Sequence, residues 1–193
     1  MGLKLYKSLS EESMIAGCLK GDPKAQQMLY ERFSPVMYPV CLRYVRDSDD
    51  AEDIMISGFM KVFKKIYSYQ GTGSLMGWIR KIMINQALGH LRKNKSIHIH
   101  LNTENSDYQP QLAVFSDHLE AEDLLNMVCK LPLGYRTVFN LFAIEGYTHK
   151  EISELLGISE NTSKSQLSRA RGLLQKQLLK ENASVESKIN RNE

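Results

Sequence analysis

The segment that most restricts what this chain can fold into lies near its end, between Thr148 and Leu178. Thr148 and Glu151 have the spacing of a capping box, in which each side chain accepts a hydrogen bond from the other residue's backbone N–H, so a helix is predicted to begin here. Gly157 can adopt the left-handed conformation that ends a helix, and Ser159 can cap the next one. Two helices with so short a connection are typical of a helix-turn-helix motif.

The second helix of this motif has a polar face without acidic residues, since the sequence from Asn161 to Lys180 contains no Asp or Glu. With about 100° between successive residues, the face predicted to pack on the first helix consists of Ser163, Leu167, Ala170 and Leu174. The opposite face and its flanks carry Asn161, Thr162, Lys164, Ser165, Gln166, Ser168, Arg169, Gly172 and Lys176. Asn, Gln and Arg can bond base edges and Lys or Ser can hold phosphates, which predicts entry into the major groove of duplex DNA.

Two alternatives stay open for this motif. The helix pair can be a surface hairpin that binds no ligand. Arg171 lies nearer to the packing side, where it either joins the DNA-contacting set or pairs with a glutamate of the preceding helix.

The net charge of +3 conceals blocks of a single sign. Residues 71–100 contain no acid, residues 101–129 contain no Lys or Arg, and residues 161–180 again contain no acid. Basic blocks indicate polyanionic partners, although solvated helix faces are the simpler alternative for either block alone.

The three cysteines, Cys18, Cys41 and Cys129, stand far apart among apolar neighbours, which predicts reduced thiols and a cytoplasmic protein. No apolar run approaches membrane-spanning length, so no membrane insertion is expected. His98 and His100 have no Cys or carboxylate at ligand spacing, and no nucleophile–base pair or phosphate-binding glycine loop is present. Catalytic residues, metal and cofactor are therefore all expected to be absent, and the chain is not predicted to be an enzyme.

The predicted fold is all-α, with two small helical domains joined by a flexible acidic linker. Helices are predicted from Ser10 to about Lys20, from Pro23 until Ser34-Pro35 breaks the helix, from Val36 to Val45, from a cap at Ser48 or Asp49 to about Tyr67, and from Leu75 to about Lys93. The predicted domains are a helical bundle over residues 1–95, a linker over 96–119, the helix-turn-helix domain over 120–181 and a disordered tail over 182–193.

The helix predicted from Leu75 to Lys93 carries a second mixed polar strip. One side is predicted to be buried, through Leu75, Ile79, Ile82, Met83 and Gln86. Another side aligns Trp78, Lys81, Asn85 and Arg92, and the preceding loop offers Tyr67, Tyr69 and Gln70. Aromatic rings beside cations suit unpaired nucleic acid, whose bases stack or flip out of the helix. The alternative is that these aromatic residues lie at the rim of the core.

Three motifs occur in order along the chain: "DAEDIMISGFMKVFKKI", "WIRKIMINQALGHLRK" and "LPLGYRTVFNLFAIEGYTHKEISELLGISENTSKSQLSRAR". In content and spacing they resemble the extracytoplasmic-function (ECF) sigma factors of bacterial RNA polymerase, over about residues 12–179. The resemblance implies that the Asp50–Ile66 helix binds the β′ clamp and that the Tyr67–Lys95 region opens and reads the promoter −10 element. It implies that the C-terminal helix-turn-helix binds the −35 element as duplex and lies on the β flap. It also implies core polymerase, promoter DNA and an anti-sigma factor as partners.

Positions that match the family's motifs fall into three sets. The core-polymerase set is Asp50, Glu52, Asp53, Phe59 and Lys61. The −10 set is Trp78, Asn85, His90, Leu91 and Arg92. The −35 set is Ser159, Thr162, Lys164, Ser165, Arg169 and Arg171.

Four departures from the family's pattern leave room for other functions. Ile56-Ser57 replaces a Gln followed by an acid, and Gly89 replaces a frequent Asp. In the reading helix, Ser163 replaces Val and is expected to soften packing, while Gln166 replaces Arg and is expected to favour adenine over guanine. Because Ile56-Ser57 and Gly89 depart from the first two motifs, a sigma-like adaptor that binds polymerase without melting DNA stays open. A stand-alone helix-turn-helix regulator that binds duplex operator DNA as a dimer is the other alternative, which accounts for Glu145–Leu178 but not for the strip with Trp78 or the acidic linker.

Overall fold

The computed structural model describes residues 10–93 and 121–189, with side chains for residues 10–93 and 125–179. Within these ranges the regular structure is helical and contains no strand, which confirms the all-α prediction. The chain divides into two compact units between Gly89 and His90, inside the last turns of the helix Leu75–Lys93. The predicted linker lies outside the described residues, and the predicted domain boundaries stay predictions.

The N-terminal unit begins with helices whose caps follow from local sequence chemistry. Its elements are α1 (Glu11–Leu19), α2 (Pro23–Val45), α3 (Ser48–Lys65), a 3₁₀ turn (Ile66–Ser68) and all but the last four residues of α4 (Leu75–Lys93). The Ser10 side chain accepts from the Ser13 N–H and caps α1, and Asp22 caps α2 in the same way. The cap of α3 was wrongly predicted: Asp47, rather than Ser48 or Asp49, accepts from the first free N–H groups of that helix.

The predicted break at Ser34-Pro35 is also wrong, because α2 runs without interruption through Pro35 and Pro39. Both prolines are exposed, so water can reach the carbonyl groups that lose their usual helical donor. The opposite side of α2 is buried, with Leu29 and Met37 fully inaccessible to solvent. Burial of this apolar face outweighs the two missing hydrogen bonds, a contribution that local sequence rules do not include.

The N-terminal core lies between α2, α3 and α4. The Phe59 ring meets the Tyr30 ring edge-on with 4.8 Å between centroids. Gly58 faces Met83 so closely that a Cβ atom on Gly58 would lie 2.2 Å from the Met83 Sδ. A glycine at this position therefore permits α3 and α4 to approach each other.

The C-terminal unit contains α5 (Ala121–Lys130), α6 (Leu133–Phe139), a π-helical turn (Asn140–Ile144), α7 (His149–Leu156) and α8 (Glu160–Ile189). The buried Arg136 guanidinium donates to the carbonyls of Cys129 and Leu131 at 3.3 and 3.2 Å, which ties the end of α5 to α6. Apolar side chains of α5 and α8 form a shared core. Because the sequence has no Gly or Pro after Gly172, α8 continues to Ile189, so residues 182–189, predicted to belong to a disordered tail, are helical.

Candidate nucleic-acid interface

The helix-turn-helix predicted from the sequence is present. The Thr148 Oγ1 accepts from the Glu151 N–H at 3.2 Å, and the Glu151 carboxylate accepts from the Thr148 N–H at 2.8 Å, which completes the capping box of α7. Gly157 has a left-handed backbone, with φ 68° and ψ 38°. The Ser159 Oγ accepts from the Thr162 N–H at 3.0 Å and caps α8. These contacts fix the direction in which α8 leaves the turn.

The face of α8 that packs inward contains the predicted residues. Ser163 and Ala170 are fully buried, and Leu167 and Leu174 are nearly so. Softer packing at Ser163 was expected, but its hydroxyl lies 2.9 Å from the His149 Nδ1, and this hydrogen bond joins the two helices of the motif.

Most of the predicted DNA-contacting residues lie on the outer side of α8 or at its cap. The exposed ones are Ser159, Asn161, Lys164, Ser165 and Arg171, and the half-buried ones are Thr162, Ser168 and Arg169. The Ser165 hydroxyl donates to the Thr162 carbonyl, so its oxygen can still accept a hydrogen bond from a DNA base or from water. This side of α8 carries cations and small polar groups and, after Glu160 in the first turn, no acid up to Lys180.

Gln166 was wrongly placed among the base-reading residues, since it is only 1% exposed. The prediction considered packing of α8 on α7 alone. However, α8 also packs on α6, and this second contact widens the buried sector of the helix. Gly172 is likewise buried rather than outward-facing. The proposed preference for adenine through Gln166 therefore lacks a structural basis.

A cluster of side chains beside the motif was not foreseen from the sequence. The His149 and Phe142 rings are stacked with 4.5 Å between centroids, and the Arg171 guanidinium carbon lies 5.8 Å from the centre of the Phe142 ring. Burial, followed by the nearby Lys164 and Arg171 charges, lowers the pKa of His149 against an opposing effect of Glu160. The cluster joins the π-helical turn, through Phe142, to α7 and α8. No fixed spacing in the sequence signals it, because its members come from three elements.

The strip on α4 is largely as predicted. Lys81, Asn85 and Arg92 are exposed and Trp78 is half-buried. Of the side predicted to be buried, Ile82 and Gln86 are only half-buried, and the core instead includes Ile84, Ala87, Leu88 and Leu91.

The aromatic residues before α4 differ from each other in their surroundings. Tyr67 is 76% exposed. Tyr69 is half-buried, with its ring 5.6 Å from the Trp78 ring and its hydroxyl donating to the Gly73 carbonyl. Tyr67 can therefore reach a ligand freely, whereas Tyr69 is already engaged within the protein.

The residues matched to polymerase binding lie on α3, but not all on its surface. Glu52, Asp53 and Lys61 are exposed, and Asp50 is half-buried. The Lys61 Nζ donates to the Gln86 side chain of α4. Phe59 is 2% exposed and packs in the core, so in this conformation it supports α3 rather than offering a contact. Ile56 and Met60 instead form an exposed apolar pair, 43% and 56% accessible, next to the acidic residues.

Two classes of site are not found in the described part of the chain. Among the described residues, no group of three or more His, Cys, Asp or Glu side chains is placed to hold a metal ion. No described helix is both long and apolar enough to span a lipid bilayer.

Comparison with known proteins gives matches in both units. Residues 29–97 match the family model of sigma-70 region 2, and residues 121–174 match that of sigma-70 region 4. The RNA polymerase sigma factor SigV of Bacillus subtilis is 31% identical over 147 residues, which are 76% of this chain and 87% of that protein. The RNA polymerase sigma-H factor of Pseudomonas aeruginosa is 23% identical over 181 residues, which are 87% of this chain and 93% of that protein. Among solved structures, sigma factor RpoE of Bartonella quintana, in complex with the anti-sigma factor NepR, is 22% identical with a TM-score of 0.48, covering 81% of this chain and 98% of that one.

Proposed function

Because this chain belongs to the extracytoplasmic-function (ECF) sigma factors of bacterial RNA polymerase, we propose that it directs initiation through two surfaces that bind different states of promoter DNA. The chain binds core polymerase and promoter DNA as a transcription initiation factor. It supplies recognition rather than catalysis. The observation that carries the proposal is the coexistence, in one chain, of a capped helix-turn-helix and a separate aromatic and cationic strip on α4.

The −35 element is the proposed ligand of α8. Arg169 and Asn161 are suited to base edges in the major groove, and Lys164 is suited to a phosphate. The absence of acid on this side of the helix supports the assignment, because a carboxylate facing DNA would repel the phosphate backbone. Two capped helix starts and a left-handed glycine between them fix the orientation of the reading helix before DNA arrives.

The −10 element is the proposed ligand of α4 and the preceding turn. Trp78 and the exposed Tyr67 offer ring faces to unpaired bases, while Lys81 and Arg92 neutralise the strand's backbone. Asn85 lies on the same side of α4 and can bond a flipped base. Duplex reading needs no such aromatic surface, which supports a division of labour between the two units.

We assign binding of the polymerase β′ clamp to the outer side of α3, through Glu52, Asp53 and Lys61. The polymerase β flap is the proposed partner of the C-terminal unit. Such a subunit acts where polymerase and chromosome are, so we place it in the cytoplasm. An anti-sigma factor that masks these surfaces is the further partner that the family resemblance implies.

The test is run-off transcription with core polymerase, combined with nuclease and permanganate footprinting. We expect two protected patches roughly two helical turns apart and permanganate-reactive thymines only in the downstream one. Duplex binding without core polymerase and without reactive thymines would establish a stand-alone regulator instead. Polymerase binding without reactive thymines would establish a non-melting adaptor.

The division of labour is tested by paired substitutions. Trp78→Ala or Asn85→Ala should impair opening and leave upstream protection intact, because neither residue belongs to the helix-turn-helix. Arg169→Ala should weaken upstream binding by about 1–3 kcal/mol if Arg169 bonds a base. Equal loss of upstream protection and of downstream opening in every variant would contradict the two-surface model.

A further inference from the structure

The loop between the 3₁₀ turn and α4 is closed by one side chain. The Tyr69 hydroxyl donates to the Gly73 carbonyl at 2.8 Å, and the Tyr69 N–H donates to the Ile66 carbonyl at 3.1 Å. Between these anchors, Gly71 and Gly73 have φ of +73° and +84°, values that residues other than glycine rarely adopt. Tyr69 therefore fixes both ends of a glycine-dependent loop.

The same tyrosine also packs on the aromatic residue of the α4 strip. The ring planes of Tyr69 and Trp78 are inclined by 52°, with 5.6 Å between centroids. At its other end the loop leads into Ser74, which caps α4: its Oγ accepts from the N–H of Gly77, the residue before Trp78. The loop and the Trp78 ring are thus held by a connected set of contacts.

Tyr67 provides an internal contrast. It is two residues from Tyr69, but its side chain makes no hydrogen bond or ring contact with the described residues and is 76% exposed. The two tyrosines were grouped as equivalent DNA-contacting residues on the basis of sequence. In the structure the Tyr67 ring is exposed, whereas the Tyr69 ring and hydroxyl already make contacts within the protein.

We propose that Tyr69 is a positioning residue for −10 recognition: it sets the conformation of the loop and of Trp78 and does not itself bind DNA. This inference rests on the proposed function. A preformed loop and ring reduce the conformational entropy lost when an unpaired base is captured. Loss of the single neutral hydrogen bond in Tyr69→Phe should lower promoter opening by about threefold to tenfold, and loss of the ring in Tyr69→Leu should lower it further.

The first experiment reads Trp78 directly, because it is the only tryptophan of the chain. Acrylamide quenching of Trp78 emission is measured in the free full-length protein for Tyr69→Phe and Tyr69→Leu, with Tyr67→Phe and Tyr67→Leu as matched controls. We expect quenching to rise in the Tyr69 variants, more for Leu than for Phe, and to stay at the wild-type level in both Tyr67 variants. Unchanged quenching in both Tyr69 variants would overturn the proposal, as would an equal rise in the Tyr67 variants.

The second experiment measures permanganate reactivity of the −10 element with the same variants bound to core polymerase. Tyr69→Leu should reduce opening in the wild-type background and have a clearly smaller effect in a Trp78→Ala background, since the part of its effect that passes through Trp78 is then lost. An additive effect would instead make Tyr69 a direct DNA contact. If the wild-type holoenzyme fails to open any promoter, the proposed function fails, whereas altered opening without altered quenching rejects only the positioning role.

Discussion

The close approach of α3 and α4 at Gly58 leads to a quantitative prediction for Gly58→Ala. The new Cβ would lie 2.2 Å from the Met83 Sδ and 2.9 Å from its Cε. Normal carbon contacts are about 3.5–4.0 Å, so the neighbour must move by more than 1 Å. These atoms are the flexible end of the side chain, but Met83 is fully buried, so its thioether can turn aside only by displacing other core atoms. Overpacking of this kind costs about 1–3 kcal/mol.

Alanine is also a better helix former than glycine by about 1 kcal/mol, which partly offsets the clash. Gly89→Ala on α4 is the matched control, because a Cβ there meets nothing within 4 Å. The propensity gain is common to both variants, so Gly58→Ala should be less stable than Gly89→Ala by about 1–3 kcal/mol. This difference isolates the packing contribution.

Urea unfolding followed by Trp78 emission measures this difference, since the only tryptophan lies in the N-terminal unit. With an m value of about 1–3 kcal/mol per molar urea, the midpoints should be separated by roughly 1 M. In a Met83→Ala background the sign should reverse, because the added methyl then fills space that the shortened side chain vacates. Equal midpoints for the two glycine variants, or persistent destabilisation without Met83, would refute the reasoning.

Two further predictions concern the C-terminal unit. Since burial and Lys164 lower the pKa of His149 from its ordinary 6.5, the unfolded state takes up the proton first as pH falls; stability is therefore fully present above pH 6.5 and declines below it. His149→Gln should flatten this decline in denaturation curves recorded by circular dichroism, and an unchanged pH profile would exclude His149 as the titrating group. Gln166→Met should leave the base preference at −35 unchanged in a binding selection, because the Gln166 side chain is buried within the protein; a changed preference would return Gln166 to the base-reading residues.

Features that depend on neighbouring residues in the chain could be predicted from the sequence. Thr148 with Glu151, Gly157 and Ser159 each act on backbone groups within a few positions, so their spacing alone determines the helix starts and the turn. The bounds of α4 were predicted for the same reason, since Ser74 caps a helix that begins at the next residue.

Features that depend on distant elements could not be predicted. Gln166 lies in the buried sector of α8, which packs on α6 as well as on α7, and a helical wheel does not show that second neighbour. The His149–Ser163 bond joins residues fourteen positions apart in different helices. Phe59 matched a polymerase-binding motif by position, yet its burial beside Tyr30 depends on how α2 packs on α3.

The prolines inside α2 have a consequence for how the protein is made. As an isolated peptide in water, this segment would lose roughly 3 kcal/mol of helix stability at each internal proline, more than a helix of its length can recover alone. The segment therefore depends on the helices that pack on it, among them α1 and α3, to bury its apolar face, which includes Leu29 and Met37. On the translating ribosome, we therefore expect α2 to stay unstructured until the residues of α3 have emerged behind it.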